Sequence, residues 1–469
     1  MHKIFNYKTL AVATASMMAA TVANAAGLDR SGQDITAFLQ DGTYAEAVYT
    51  YIDADVSGKD TSGNATGDIA EAYDFFRYGV KTDINDTFSI GVLYDEPFGA
   101  AVKYGTGNDF SVNASSANDN YVGYVKGILA AQAEAAGGTR EQGIQQAIAL
   151  TTALPLATVI ANPAAAAAAG AAAPALAAAA AGAIAATQRQ AGQATNVEIR
   201  TENVSLLLGA KLGTNKNFQV YGGPAAQRLN GEVHLRGPNY LTANGYDAKI
   251  QTDTTLGWVA GVAYSKPEIG LRASLTYRSE TEHNTQIAEV LPMRNISAVL
   301  QGNTTMPGTT TQDFSVTLPE SYNLDFQTGL NPTTLLTARV RYVPWGDFQI
   351  RPTLYTQASG LPIVSYSDDQ WLVELGLGKK INDKLSVQGS VGWDSGAGNP
   401  ATTLGPVDGY YSVGLGAKYN VTPEWSVSLG GKYFMFGDAD AQLPTKDLVG
   451  KFENNNGYAV GLKVAYQKR

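Results

Sequence analysis

The chain contains no cysteine, and only three histidines stand among its 469 residues. Beyond its first residues it has no convincing membrane-crossing helix, since its one long apolar stretch, within the alanine-rich region, is punctuated by proline and glycine. A chain of this size without disulfides is held either by a large core or by a closed sheet in lipid once it leaves the cytoplasm. With His234 and His283 as the only histidines after the leader, no Ser-His pair oriented by a third group stands out, so a lipid-acting enzyme is a distant alternative. Asp53, Asp55, Ser57 and Gly58 start like a calcium loop, but the twelfth position is Asn64 and no helices flank it. No metal site and no cofactor are expected. Basic excess is missing too: the formal charge is -9. It becomes -11 without the leader, which carries Lys3, Lys8 and no acid. An acidic exterior argues against nucleic acid as a partner.

What is present begins with that leader. Lys3 and Lys8 precede an apolar run from Leu10 to Val22, followed by Ala23-Asn24-Ala25. This is the order of a secretory signal peptide over residues 1–25, with the mature chain starting at Ala26.

Alternation dominates from Thr201 on. Val204, Leu206 and Leu208; Leu256, Trp258 and Val262; Trp371, Val373, Leu375 and Leu377; Tyr411, Val413, Leu415 and Tyr419; and Tyr458, Val460, Leu462, Val464 and Tyr466 each occupy every second position. Aromatics sit at the ends of these runs with aliphatics between, as in an outer-membrane barrel whose strands need about 9–11 residues to cross. Short turns at Asp83–Asp86, Gly213–Lys216, Ser265–Glu268, Gly329–Thr333, Asn382–Lys384 and Asn420–Glu424 alternate with long polar excursions, among them Asn284–Gln312. Reading Thr334–Tyr355 as one strand despite Pro344 and Pro352 gives an all-β, antiparallel transmembrane barrel of about fourteen strands over residues 44–469. Residues 127–193 form an alanine-rich insert with expected helices, interrupted around Pro155, Pro163, Gly170 and Pro174, on the extracellular side. It reads either as an apolar cap that collects ligand or as a variable surface loop.

One strand has a defect. Phe88, Ile90, Val92 and Tyr94 share a face, but Glu96-Pro97-Phe98-Gly99 follows, and a proline so close to a glycine marks an edge, a bulge or a break. On the inward faces stand Lys211, Arg272, Arg278, Arg339 and Arg341, with Lys380, Lys418, Lys432 and Lys463; fewer acids, Asp95, Glu374 and Asp394, share them. Such a cationic interior suits a ligand with an anionic head. Equally, polar inward residues solvate a lumen and pair with neighbours.

Tyr94-Asp95-Glu96-Pro97-Phe98-Gly99-Ala100, Tyr277-Arg278-Ser279-Glu280, Leu318-Pro319-Glu320-Ser321, Trp345-Gly346-Asp347-Phe348 and the mature start Ala26-Gly27-Leu28 together resemble the FadL family of outer-membrane transporters for long-chain fatty acids and related hydrophobic compounds. The resemblance implies capture of a hydrophobic small molecule outside the cell and lateral release through a kink in the third strand, at Pro97, Phe98 and Gly99. It also implies an N-terminal hatch inside the lumen, here short (residues 26–43) and without the Asn-Pro-Ala that many members carry there. The expected partners are the ligand, outer-membrane lipids and the barrel assembly machinery, for which Tyr466 would be the terminal signal; the expected state is a monomer. A diffusion porin for small polar solutes is the alternative, though it needs neither wall break nor cap.

Overall fold

Residues that alternate with period two give each strand one apolar and one polar face, and tight turns join such strands into antiparallel neighbours. In the computed structural model, which describes residues 28–292 and 309–468, fourteen antiparallel strands close into a barrel. The first seven are β1 Thr43–Asp55, β2 Tyr73–Asp83, β3 Phe88–Asp95 continued as Gly99–Lys103, β4 Asn196–Leu212, β5 Phe218–His234, β6 Asp247–Lys266 and β7 Leu271–Arg278 continued as Thr281–Val290. The others are β8 Thr310–Leu318 continued as Ser321–Asn331, β9 Thr334–Val343, β10 Gln370–Lys380, β11 Leu385–Asp394, β12 Tyr410–Asn420, β13 Trp425–Phe436 and β14 Asn456–Lys468. The ring closes where β1 pairs β14, from Thr43 opposite Lys468 to Asp55 opposite Asn456.

All six short turns fall between these strands where their residues place them. Asparagine builds two of them: Asn85 Oδ1 accepts from the Thr87 and Phe88 amides at 2.9 Å each. Asn382 Oδ1 likewise accepts from Lys384 and Leu385 at 2.9 and 2.8 Å, the local hydrogen bonding that makes this residue a turn former. Outward faces carry the expected apolar residues, with Leu415 as much as 77% exposed. Across five strands the rings of Trp258, Tyr277, Tyr322, Tyr342 and Trp371 form an unbroken belt, with successive centroids 4.8, 5.0, 6.0 and 4.7 Å apart. Aromatic belts of this kind mark the level where a bilayer meets water.

Two expectations are corrected. Thr334–Tyr355 is not one strand: β9 stops at Val343, and Pro344 leads into a 3-10 turn, Trp345–Asp347, and later a helix, Thr353–Ser359. Proline has no amide to give the ladder, yet the strand count stands because β10 follows the excursion. Nor does Asn284 start a loop. β7 and β8 stay paired from Thr281 opposite Leu318 to Glu289 opposite Thr310. Their outward residues there, Glu282, Asn284 and Gln286, are exposed and polar, so the apolar alternation that reveals a strand in lipid is absent.

The alanine-rich region folds as helices from Ala117 onward, chiefly Ala117–Ala135, Arg140–Ala153 and Ala173–Gln190. Thr139 and Gln142 cap the second of these reciprocally. Gly170–Gln190 has a mean hydropathy of 1.5 and enough length to cross a membrane, but its Leu176, Ala179 and Ala183 are buried in one cluster with Tyr121, Val125 and Leu129 of the first helix. Gly123 and Gly127 let that helix approach the segment 238–243, where a Cβ at Gly123 would lie 2.7 Å from the Pro238 carbonyl. The insert therefore packs on the loop between β5 and β6.

Candidate functional site: a plugged break in the barrel wall

Pairing of β2 with β3 runs from Asp83 opposite Ser89 to Tyr78 opposite Tyr94 and then stops. It resumes only beyond the strand, where Ala70 bridges Val102 and Lys103 N donates to Ile69 O at 2.8 Å. The cause is local. Between the pairs Asp95/Asn203 and Gly99/Arg200, β3 carries Glu96, Pro97 and Phe98, whereas β4 carries only Thr201 and Glu202. One extra residue makes a bulge and bends the strand. Thr201 repairs the β4 side: Phe98 N donates to its Oγ1 at 2.8 Å, and its amide donates to Phe98 O at 3.1 Å.

On the open side the N-terminal segment stands in for β2. Arg30 N donates to Pro97 O at 2.8 Å, Gly99 N donates to Leu28 O at 2.7 Å, and Asp29 lies opposite Phe98. Backbone groups at membrane depth need such partners because lipid offers none. Leu28 and Pro97–Gly99, read separately from the sequence, thus meet; residues 1–25, Ala26 and Gly27 lie outside the described residues. The Arg30 side chain fills the space a side chain at Gly99 would take, since a Cβ there would lie 2.5 Å from Arg30 Cζ and 2.6 Å from Ile199 O. Its guanidinium stacks 4.1 Å over the Tyr73 ring and is 1% exposed. Burial lowers the pKa of that group, opposed by Tyr73.

The rest of the segment is bolted to the wall by charge. Arg341 grips Asp29 side-on, Nε to Oδ2 at 2.6 Å and Nη2 to Oδ1 at 2.9 Å, and donates through Nη1 to Asn323 at 2.9 Å. Asn323 in turn donates to Gly32 O at 2.8 Å. Asp34 sits between Arg77 at 3.1 Å and Arg339 at 3.4 Å. Burial pushes the Asp34 carboxyl up, but the two guanidiniums and the Thr36 amide outweigh it and hold it well below the usual carboxylate range. Arg272 donates to Leu39 O at 3.1 Å, and Lys211 lies 3.5 Å from Asp41. Arg278 donates to Ser205 Oγ at 3.1 Å. Charge counted on the wall alone made the lumen cationic; the plug brings Asp29 to Arg341 and Asp34 to Arg77 and Arg339, while Asp325, Glu46 and Glu374 of the wall itself pair with Arg339, Lys463 and Lys432. Four charges, Asp29, Arg30, Asp34 and Asp41, in a stretch without alternation were the only trace of this in the sequence.

Outward of the plug the interior is aromatic. Phe98 meets Trp345 edge-on at 5.5 Å, and Trp345 contacts Phe348 at 5.0 Å and Tyr366 at 5.5 Å. Trp345 is fully buried with its Nε1 on Gln370 Oε1 at 2.9 Å. The turn that Pro344 starts therefore carries the aromatic wall against which the kink packs.

A family model described as outer membrane protein transport protein (OMPP1/FadL/TodX) matches residues 193–467. No curated protein matches the chain by sequence. Among solved structures, a Pseudomonas aeruginosa FadL homologue superposes with a TM-score of 0.62 at 15% identity, covering 97% of each chain. The P. putida toluene transporter TodX gives 0.52 at 9% identity, over 92% of this chain and 91% of that one. At these identities the likeness is one of fold. The family is made of transport proteins, not enzymes. The chain belongs to this FadL/TodX family and is a β-barrel of the bacterial outer membrane.

Proposed function

We propose that the protein takes hydrophobic compounds such as long-chain fatty acids from outside the cell, passes them along its aromatic outer lumen, and releases them sideways into the bilayer through the break at Pro97–Gly99. The observation that carries this reading is that the wall is closed there by a plug segment instead of by β2, through the Arg30–Pro97 and Leu28–Gly99 backbone bonds. A closure made by a separate segment opens when that segment moves, whereas a continuous ladder does not. A diffusion porin needs a wet lumen; here Ile35 and Phe38 of the plug are fully buried in an apolar cluster with Leu93, Leu207 and Tyr221 of the wall.

Deleting Pro97 tests the route. It removes the extra residue and lets β3 pair continuously with both neighbours. Cells lacking their own transporters are expected to take up oleate and toluene with the wild-type protein and to lose both with the deletion, at matched surface abundance. Wild-type uptake through a well-folded deletion variant overturns lateral release. Gly99→Ala is no silent control, since its Cβ meets Arg30 and the Ile199 carbonyl.

A further inference from the structure

The plug's backbone bonds explain how the break is closed, yet they leave the Arg30 side chain without a purpose. Its Nε and Nη2 are buried and have no hydrogen-bond partner among the described residues. Those two atoms form the edge of a guanidinium that grips a carboxylate side-on. Arg341 uses this same edge on Asp29, one residue away from Arg30. Glu96 and Glu198 act on Arg30 by charge but make no hydrogen bond to it: Glu96 Oε1 accepts from Phe76 N at 3.4 Å, and Glu198 pairs with Arg200 at 2.6 Å. A buried cation whose paired edge lies against Gly99 without a hydrogen-bond partner is costly, and a carboxylate that takes that edge relieves the cost. Tyr73 lies beneath the guanidinium and shares one buried apolar cluster with Phe98, which suits an apolar chain behind the head group.

We propose that Nε and Nη2 of Arg30 are a carboxylate-binding site within the wall break, which takes the head of an anionic, long-chain amphiphile. The site rests on the transport reading above and narrows it, because a neutral hydrocarbon gains nothing from it. Because Nε lies against Gly99, occupation requires Arg30 to shift, and the amide of Arg30 holds the plug on Pro97, so head-group binding and opening of the break are coupled.

The test uses the full-length barrel in a non-ionic detergent, with the fluorescent cis-parinaric acid and its methyl ester as probes. The wild type is expected to bind the acid at least about tenfold more tightly than the ester, Arg30→Gln to bind both alike, and Arg30→Lys to keep part of the preference because it keeps charge without the fork. Gly99→Ala displaces Arg30 without altering its charge and is expected to weaken the preference, which serves if Arg30→Gln does not give the heat-modifiable folded form. Equal binding of acid and ester by the wild type, or an unchanged preference in folded Arg30→Gln, overturns the site. In cells, oleate uptake by Arg30→Gln should fall while toluene uptake persists; equal loss of both assigns Arg30 to plug docking alone and overturns the site. Failure of the wild type to import either compound counts against transport, while the acid-over-ester comparison still reads the site.

Discussion

At the scale of single residues, ion pairs decide whether the plug stays docked. Arg341 is fully buried on Asp29. Arg341→Gln strands that carboxylate away from water, and losing one partner of a buried pair costs about 3–5 kcal/mol. The expected result is faster protease cleavage within residues 28–42 while the barrel stays heat-modifiable; unchanged cleavage refutes the anchoring role. Asp34 gives the pH dependence. Its folded pKa is depressed, so its contribution is complete above the unfolded value of about 3.9 and is lost as pH falls through the lower folded value. Plug docking should therefore begin to weaken as pH falls below about 3.9 and have lost the whole Asp34 contribution once pH has passed the lower folded value. Asp34→Asn removes that acid limb, which the same cleavage assay followed against pH would detect.

At the scale of elements, exposure means something different in lipid. In water, a residue as open as Leu415 would tolerate any polar replacement; facing hydrocarbon midway between Tyr411 and Tyr419, Leu415→Arg should cost about 2–4 kcal/mol. Leu415→Met should be nearly neutral, and equal urea midpoints for the two variants would refute the orientation of β12. Gly376 is unsuitable as the lumen-facing comparison, because a Cβ there would lie 2.5 Å from Thr337 Oγ1. The last strand also runs further than its apolar residues indicate. Tyr466 packs at a tilt on Trp425, with ring centroids 5.1 Å apart, but Gln467 N donates to Glu424 O at 2.8 Å and Lys468 is still opposite Thr43. Tyr466→Ala should reduce the heat-modifiable form most, and loss of residues 467–469 should reduce it measurably, since Gln467 and Lys468 are part of the closing seam.

At the scale of the whole molecule, plug and barrel are complementary in charge. Deleting residues 28–41 removes Asp29, Asp34 and Asp41 with one base, Arg30. Arg77, Arg339 and Arg341 then face an open lumen with fewer acids. The barrel, whose strands all lie outside the deletion, should still assemble, conduct ions in planar bilayers and prefer anions. Cation selectivity would show that the wall cations are compensated without the plug.

The strand number, the periplasmic turns and the lipid face were legible because each is written in neighbouring residues: period-two apolar runs, Asn85 and Asn382 in their turns, and Pro97 beside Gly99. Where strands rise beyond the bilayer, as at Glu282 to Gln286, both faces are polar and the same code is silent. The break could be suspected from Pro97, but nothing local to it told that Leu28, Asp29 and Arg30 would complete the missing edge. Hydrogen bonding and side-on ion pairing between segments so far apart in the chain depend on three-dimensional proximity, which a closed sheet creates by bringing inward faces around a single axis. The sequence by itself therefore determined that this chain is a barrel with a flaw in its third strand. Only the tertiary structure decided what fills the flaw: a plug whose backbone satisfies β3 and whose Arg30 fills the room left by a missing side chain.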